Sequence, residues 1–154
     1  MNVTVDVTLP SEREIQVKRT FRASAARLWD CHTKPELVKK WLLGPDGWTM
    51  PVCDIDLRVG GTYHYEWSNG DMQFGTRGKY LELAAPHRIV FSETMDGFPT
   101  ESHNTFTLEE KDGVTTLTML MDFQTKDVRD AALQSGMTDG MATSFDRLER
   151  QVAA

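Results

Sequence analysis

Cysteine is scarce. Cys31 and Cys53 are the only two in 154 residues, and neither stands in a C-x-x-C or Cys/His spacing, so the chain has no four-ligand zinc site of its own. They read as buried or free thiols. Positive charge is short as well: 17 Lys and Arg face 23 Asp and Glu, a net charge of −6. That field repels phosphate backbones and anionic lipid, and nucleic acid is not expected as a partner. No stretch approaches the roughly 20 apolar residues of a membrane span, so no membrane insertion is expected. Met1 to Pro10 alternates valine with Asn, Thr and Asp and lacks the basic and apolar regions of a signal peptide, which makes the cytoplasm the expected location. H-E-x-x-H, G-x-S-x-G, G-x-x-x-x-G-K-[ST] and G-x-G-x-x-G are all missing, and Gly75-Thr76-Arg77-Gly78-Lys79 lacks the spacing to wrap phosphates. No metal, no cofactor and no standard catalytic residue set is expected.

Hydrophobic residues make up 40% and charged residues 26% of the chain, ordinary for a soluble globule. The length suits one domain over residues 1–154, with 1–12 as an N-terminal extension, and no repeat or linker divides it. Glu14 to Phe21 alternates like a half-buried strand, with Ile15, Val17, Arg19 and Phe21 on one face. Ser24 caps a helix to about Thr33, and Thr33 with Pro35 starts a second through Leu42. Leu43 to Pro51, rich in Gly and Pro, is a loop holding Trp48.

Strands resume at Val52, where Cys53, Ile55, Leu57 and Val59 share a face, and Gly60-Gly61 turns the chain into Tyr63, Tyr65 and Trp67. Asn69-Gly70 is a hairpin signal, and a change of apolar parity points to a bulge near Tyr80. Ile89, Phe91, Glu93 and Met95 share the next strand's face. Phe106 with Leu108, and then Leu117, Met119, Met121 and Phe123, mark a hairpin across Asp112-Gly113. From Thr125 to Val152 the apolar spacing is helical, which predicts one long helix. The expectation is an α+β fold: a curved antiparallel sheet of about seven strands, two short helices after the first, and a long C-terminal helix on which the sheet wraps.

Arg19-x-Phe21-x-Ala23, Leu28-Trp29-Asp30-x-x-Thr33-x-Pro35-Glu36, Asp56-Leu57-Arg58-Val59-Gly60-Gly61-Thr62-Tyr63 and Gly136-Met137-x-x-Gly140 occur in an order that resembles the SRPBCC, or START-like, superfamily. Within it the chain is similar to the group related to the activator of the 90-kilodalton heat-shock protein ATPase. The resemblance implies a helix-grip fold with a cavity between sheet and C-terminal helix. It implies no catalytic motif. Superfamily members bind lipids, sterols, polyketides or hormones, act as cyclases, or act on protein partners, so fold alone sets only a broad expectation.

Tyr63, Tyr65, Trp67, Met119, Met121, Met137, Met141 and Phe145 point to the sheet-helix interface, as a plain core or as the wall of an adaptable apolar pocket. Trp41 and Trp48 flank the Gly/Pro loop, as a lid or as side chains fixing it to the core. Arg19 and Glu93 each interrupt an apolar face, where burial of a charge demands a partner. Either orients a ligand's polar group, or Arg19 snorkels at a sheet end and Glu93 lies at a frayed strand terminus. The four histidines fall on different elements and read as solvated. Asp54 and Asp56 share their face with Arg58 and read as a partly neutralised surface rather than a metal site. Gly136 and Gly140 clear one helix face for a sheet residue, a ligand or a second subunit, so a homodimer is among the partners considered.

The function expected is binding of a small, largely apolar molecule in that cavity. The alternatives are a cyclase- or hydratase-type enzyme using Glu93 or a tyrosine as acid-base group, and a chaperone-cofactor-like interaction module. Contact with a chaperone rests on the family resemblance alone.

Overall fold

The computed structural model describes residues 5–153; the ends of the expected 1–154 domain, and the first part of its N-terminal extension, lie outside them. Strand β1 (Asp6–Thr8) and strand β2 (Glu14–Phe21) precede helices α1 (Ala25–Thr33) and α2 (Pro35–Trp41). Then follow β3 (Thr49–Ile55), β4 (Thr62–Ser68), β5 (Gln73–Ala84), β6 (Arg88–Met95), β7 (Ser102–Lys111) and β8 (Val114–Asp122). Helices α3 (Lys126–Gln134) and α4 (Met137–Ala153) end the described chain. All pairings are antiparallel, in the order β1-β2-β8-β7-β6-β5-β4-β3. Among the described residues the sheet therefore has eight strands rather than about seven. The additional one is β1, inside the stretch read as an extension, where Val7 pairs with Val17.

Local chemistry accounts for the helix ends. The Ser24 hydroxyl accepts from Arg27 N at 3.1 Å and caps α1. Thr33 does not cap α2, because its hydroxyl donates to the Trp29 carbonyl at 2.8 Å; the cap position is Lys34, and Pro35 presets the first turn. Strand β3 starts earlier and stops sooner than its alternation implies. After Ile55 the chain turns, Gly61 N bonding the Arg58 carbonyl, so that Gly60 and Gly61 reach Tyr80 of β5. Leu57 and Val59 are left 41% and 64% exposed instead of facing the core. The expected bulge is present: β5 and β6 shift register between Tyr80 and Glu82, leaving Leu81 outward.

The C-terminal helix is not continuous. Ser135 closes α3, Gly136 takes φ +82, and α4 starts afresh at Met137. A left-handed residue ends a helix, and glycine adopts it without the Cβ clash other residues meet. The helix gripped by the sheet is thus α4, 17 residues or about 26 Å long. Leu28, Phe21, Phe106, Leu108, Leu117 and Leu148 bury completely or almost so between sheet and helices.

The approach to the glycine-bearing face of α4 comes from the α2–β3 loop rather than from the sheet. A Cβ on Gly140 would meet Pro45 Cδ at 3.7 Å and Gly44 Cα at 4.0 Å, ordinary contact distances. Gly140→Ala is therefore expected to raise stability by about 0.5–1 kcal/mol through helix propensity. Gly136→Ala, forced to keep a positive φ, should lower it by about 1 kcal/mol. Urea unfolding of the two variants checks both signs.

Candidate functional site

Between the inner face of β4–β8 and the helices α2 and α4 lies a cavity of about 210 Å³. Alternation along each strand builds its floor: Tyr63, Tyr65 and Trp67 from β4, Phe91 and Glu93 from β6, and Met119 and Met121 from β8. Trp41 of α2 and Met137, Met141 and Phe145 of α4 supply the roof. Tyr63 is the hub of the aromatic wall, with ring centroids 4.8 Å from Tyr65, 5.5 Å from Tyr80 and 5.9 Å from Phe91. The wall is apolar apart from a few side chains, the composition typical of a small-molecule site.

Two of the residues expected there stand elsewhere. Arg19 projects from β2 beneath α4 and pairs with Asp146 at 2.8 Å, its guanidinium 5.3 Å from the centroid of Phe21. Its side chain is 3% exposed, so it ties helix to sheet outside the cavity wall and does not snorkel. Trp48 is half-buried in the α2–β3 loop and is not part of the wall.

That loop is fastened by other groups. Trp67 Nε1 donates to the Leu42 carbonyl at 2.7 Å, Gly44 N donates to Ser144 Oγ at 2.8 Å, and Arg147 donates to the Gly44 carbonyl at 2.7 Å. Trp41, in turn, donates to the Cys31 carbonyl at 2.8 Å and locks α2 on α1.

The polar end of the cavity is built by register. Gly78 of β5 pairs with Tyr63 on one side and Glu93 on the other. With no side chain at Gly78, the Tyr63 ring lies across it, and the Tyr63 hydroxyl donates to Glu93 Oε2. Glu93 is no frayed end: β5 and β7 flank it, with Ser102 as its β7 partner. It borders the cavity and is half-buried, with protein on its other sides. Burial raises its pKa above the ordinary carboxylate value, against the lowering effect of the Tyr63 and Thr76 hydroxyls. Burial, and then the Glu93 charge, push the Tyr63 phenol well up, so it stays protonated as a donor.

Thr76, Asn104, His32 and Ser144 complete the polar wall, and sequence reading missed all four. Thr76 and Asn104 are 4% and 2% exposed, and Asn104 Oδ1 has no hydrogen-bond partner. His32 is not solvated. Its ring sits 4.7 Å from Trp41 and 4.6 Å from Phe106, with Nδ1 2.7 Å from the Leu28 carbonyl. Burial lowers its pKa to about 4, so near neutrality Nδ1 carries the donated proton and Nε2 is left as an acceptor. A signal existed for two of them: Asn104 shares parity with Phe106 and Leu108, and His32 lies four residues after the buried Leu28.

Among the described residues no group of three His, Cys, Asp or Glu could hold a metal ion, and Arg58 pairs with Asp56 at 2.8 Å. Among them, too, no helix is long and apolar enough to cross a membrane.

An antiparallel sheet closed around a C-terminal helix, with a cavity between, is the helix-grip architecture of the START-like, or SRPBCC, superfamily. The family model described as Activator of Hsp90 ATPase homolog 1-like protein matches residues 22–153, and the chain belongs to that family. Among solved structures, it is similar to a protein from Rhodobacter sphaeroides at 28% identity and a TM-score of 0.92, covering 97% of this chain and 98% of that one. A protein from Mycobacterium smegmatis matches in fold at 22% identity and TM-score 0.86, covering 98% and 97%. So does the AHSA1-like protein from Aeromonas hydrophila, at 19% identity and TM-score 0.70, covering 88% and 93%. No curated protein matches the chain.

Proposed function

We propose that this protein binds a small, largely apolar molecule in the cavity between sheet and α4. The observation that carries the reading is a partly open cavity of about 210 Å³ walled by aromatic and Met side chains. A ligand that buries its apolar surface there gains about 25 cal/mol per Å² removed from water, and Met137 and Met141 adapt their shape to it. The volume exceeds the ~150 Å³ of an apolar cavity known to take benzene, so a one- or two-ring molecule is the size supported.

Naphthalene is a suitable probe. Native mass spectrometry of the purified protein should show a retained small molecule, and naphthalene should quench tryptophan fluorescence saturably. Trp67→Ala and Met141→Ala should each weaken that binding about tenfold, the worth of roughly 1.4 kcal/mol of lost contact, with the far-UV circular dichroism unchanged. Equal affinity in both variants and the parent protein would sink the proposal.

A second reading has one observation in its favour, the Tyr63–Glu93 hydrogen bond with a carboxyl whose pKa burial raises. Such a pair suits general acid-base work on an aromatic or polyketide-like substrate, as in a cyclase or hydratase. Glu93→Gln would then lower turnover while ligand affinity stays similar.

A further inference from the structure

Three neighbouring strands place three polar side chains on the cavity's inner face. Glu93 on β6 is diagonal to Thr76 on β5, since Thr76 pairs with Met95, and diagonal to Asn104 on β7, since Asn104 pairs with Phe91. Diagonal neighbours of this kind lie within side-chain reach of one another. The outer two are each more than nine-tenths buried; the Thr76 hydroxyl is turned to the Glu93 carboxyl, and Asn104 leaves Oδ1 without a partner. Buried polar atoms are nearly always paired, and an unpaired amide oxygen beside a carboxyl on the wall of a cavity points to a group supplied from inside it.

The character of that group follows from what the wall offers. Asn104 Oδ1 accepts, the free oxygen of Glu93 accepts when ionised, and Nε2 of His32 accepts because Nδ1 faces the Leu28 carbonyl. The Tyr63 hydroxyl is already spent on Glu93, and the other donors of the wall, among them the Asn104 amide and the Thr76 hydroxyl, carry no charge. Among the described residues no Lys or Arg lines the cavity. An anion entering would find acceptors, a carboxyl and no cation, and would leave its own charge desolvated.

We infer that the cavity selects a one- or two-ring molecule whose polar group is a hydrogen-bond donor, such as a hydroxyl or ring N–H, and excludes carboxylates. The inference rests on the cavity-binding reading and narrows it. Donor recognition of this kind discriminates strongly, because a ligand lacking the donor leaves the wall's buried acceptors unpaired.

Three probes of one shape separate the cases: naphthalene, 2-naphthol and 2-naphthoate, titrated by fluorescence at pH 7. The expected order is 2-naphthol tightest by about tenfold over naphthalene, with 2-naphthoate weakest, a separation that one well-made buried hydrogen bond accounts for. In Asn104→Leu the ratio of naphthol to naphthalene affinity should fall to near one. Thr76→Val, which keeps the branched shape, should lower the same ratio and serves if the leucine variant fails to fold. In Glu93→Gln, 2-naphthoate should gain at least tenfold. Equal affinities for naphthol and naphthalene in the parent protein, or 2-naphthoate binding tightest, would overturn the donor inference while the cavity reading stands. Failure of all three probes to bind would remove the cavity reading itself.

Discussion

Gly78→Ala is expected to destabilise the protein by about 1–3 kcal/mol, the range for forcing an extra methyl into a packed interior. The position has an extended backbone and nothing in its φ demands glycine. What demands it is the Tyr63 ring, whose Cε1, Cζ and hydroxyl oxygen occupy the place a Cβ would take. Alanine must push the ring away, and the Tyr63–Glu93 hydrogen bond goes with it. A double-mutant cycle makes the cause testable. In a Tyr63→Val background the clash is gone, and the same Gly78→Ala change should become neutral or stabilising, since alanine loses less backbone freedom on folding than glycine. Urea unfolding of the four proteins reads the coupling. Equal effects of Gly78→Ala in both backgrounds would show that the ring does not depend on the glycine.

This dependence was out of reach of the sequence for a definite reason. Asn69-Gly70 marks a hairpin, and a two-residue turn there would pair Ser68 with Asp71 and set Tyr63 opposite Thr76. The loop is instead four residues long, with Ser68 opposite Gln73, because Asn69 Oδ1 accepts from Asp71 N at 3.1 Å and Met72 N at 2.7 Å. Both registers differ by two residues, so each side chain keeps its face. The inward set Tyr63, Tyr65 and Trp67 was therefore readable from alternation alone, whereas the partner of Tyr63 was not.

A similar limit applies to the two charged residues that break apolar faces. Arg19 and Glu93 carry the same local signal, a charge at an inward position. Their roles separate only through tertiary structure: the region above Arg19 is closed by α4 and Asp146, and the region above Glu93 is cavity. The break between α3 and α4 was more legible, since Gly136 follows Ser135 in the middle of an apolar stripe. Both a packing contact and a helix stop fit a glycine there, and the +82 φ decides for the stop. The place of His32, four residues after Leu28, sets it on the inward face of α1, but its enclosure follows only from Trp41 and Phe106 closing around it.

The pH dependence of stability should carry two opposed contributions from the cavity wall. His32 titrates at about 4 in the folded protein against 6.5 as a free side chain. Its contribution is complete above pH 6.5 and is lost as pH falls toward 4, because the unfolded chain takes up a proton that the buried ring refuses. Over that interval the loss amounts to about 3 kcal/mol at 1.36 kcal/mol per pH unit, an order-of-magnitude figure. Glu93 acts with the other sign. Burial raises its folded pKa above 4.5, so its contribution is complete below pH 4.5 and is lost as pH rises through the folded value. From pH 4.5 up to the folded value of Glu93 the two slopes oppose each other, and the parent protein should lose less than 3 kcal/mol on acidification. Glu93→Gln removes the compensating slope and should steepen the acid loss. His32→Phe keeps a flat ring between Trp41 and Phe106 while removing the proton site, and should flatten the profile or reverse its slope. Urea unfolding of the three proteins at pH 7, 6, 5 and 4.5 measures the differences, in which other titrating groups cancel. Parallel profiles for His32→Phe and the parent would mean that the ring accepts a proton in the folded state, and the neutral Nε2 acceptor on the cavity wall would go with it.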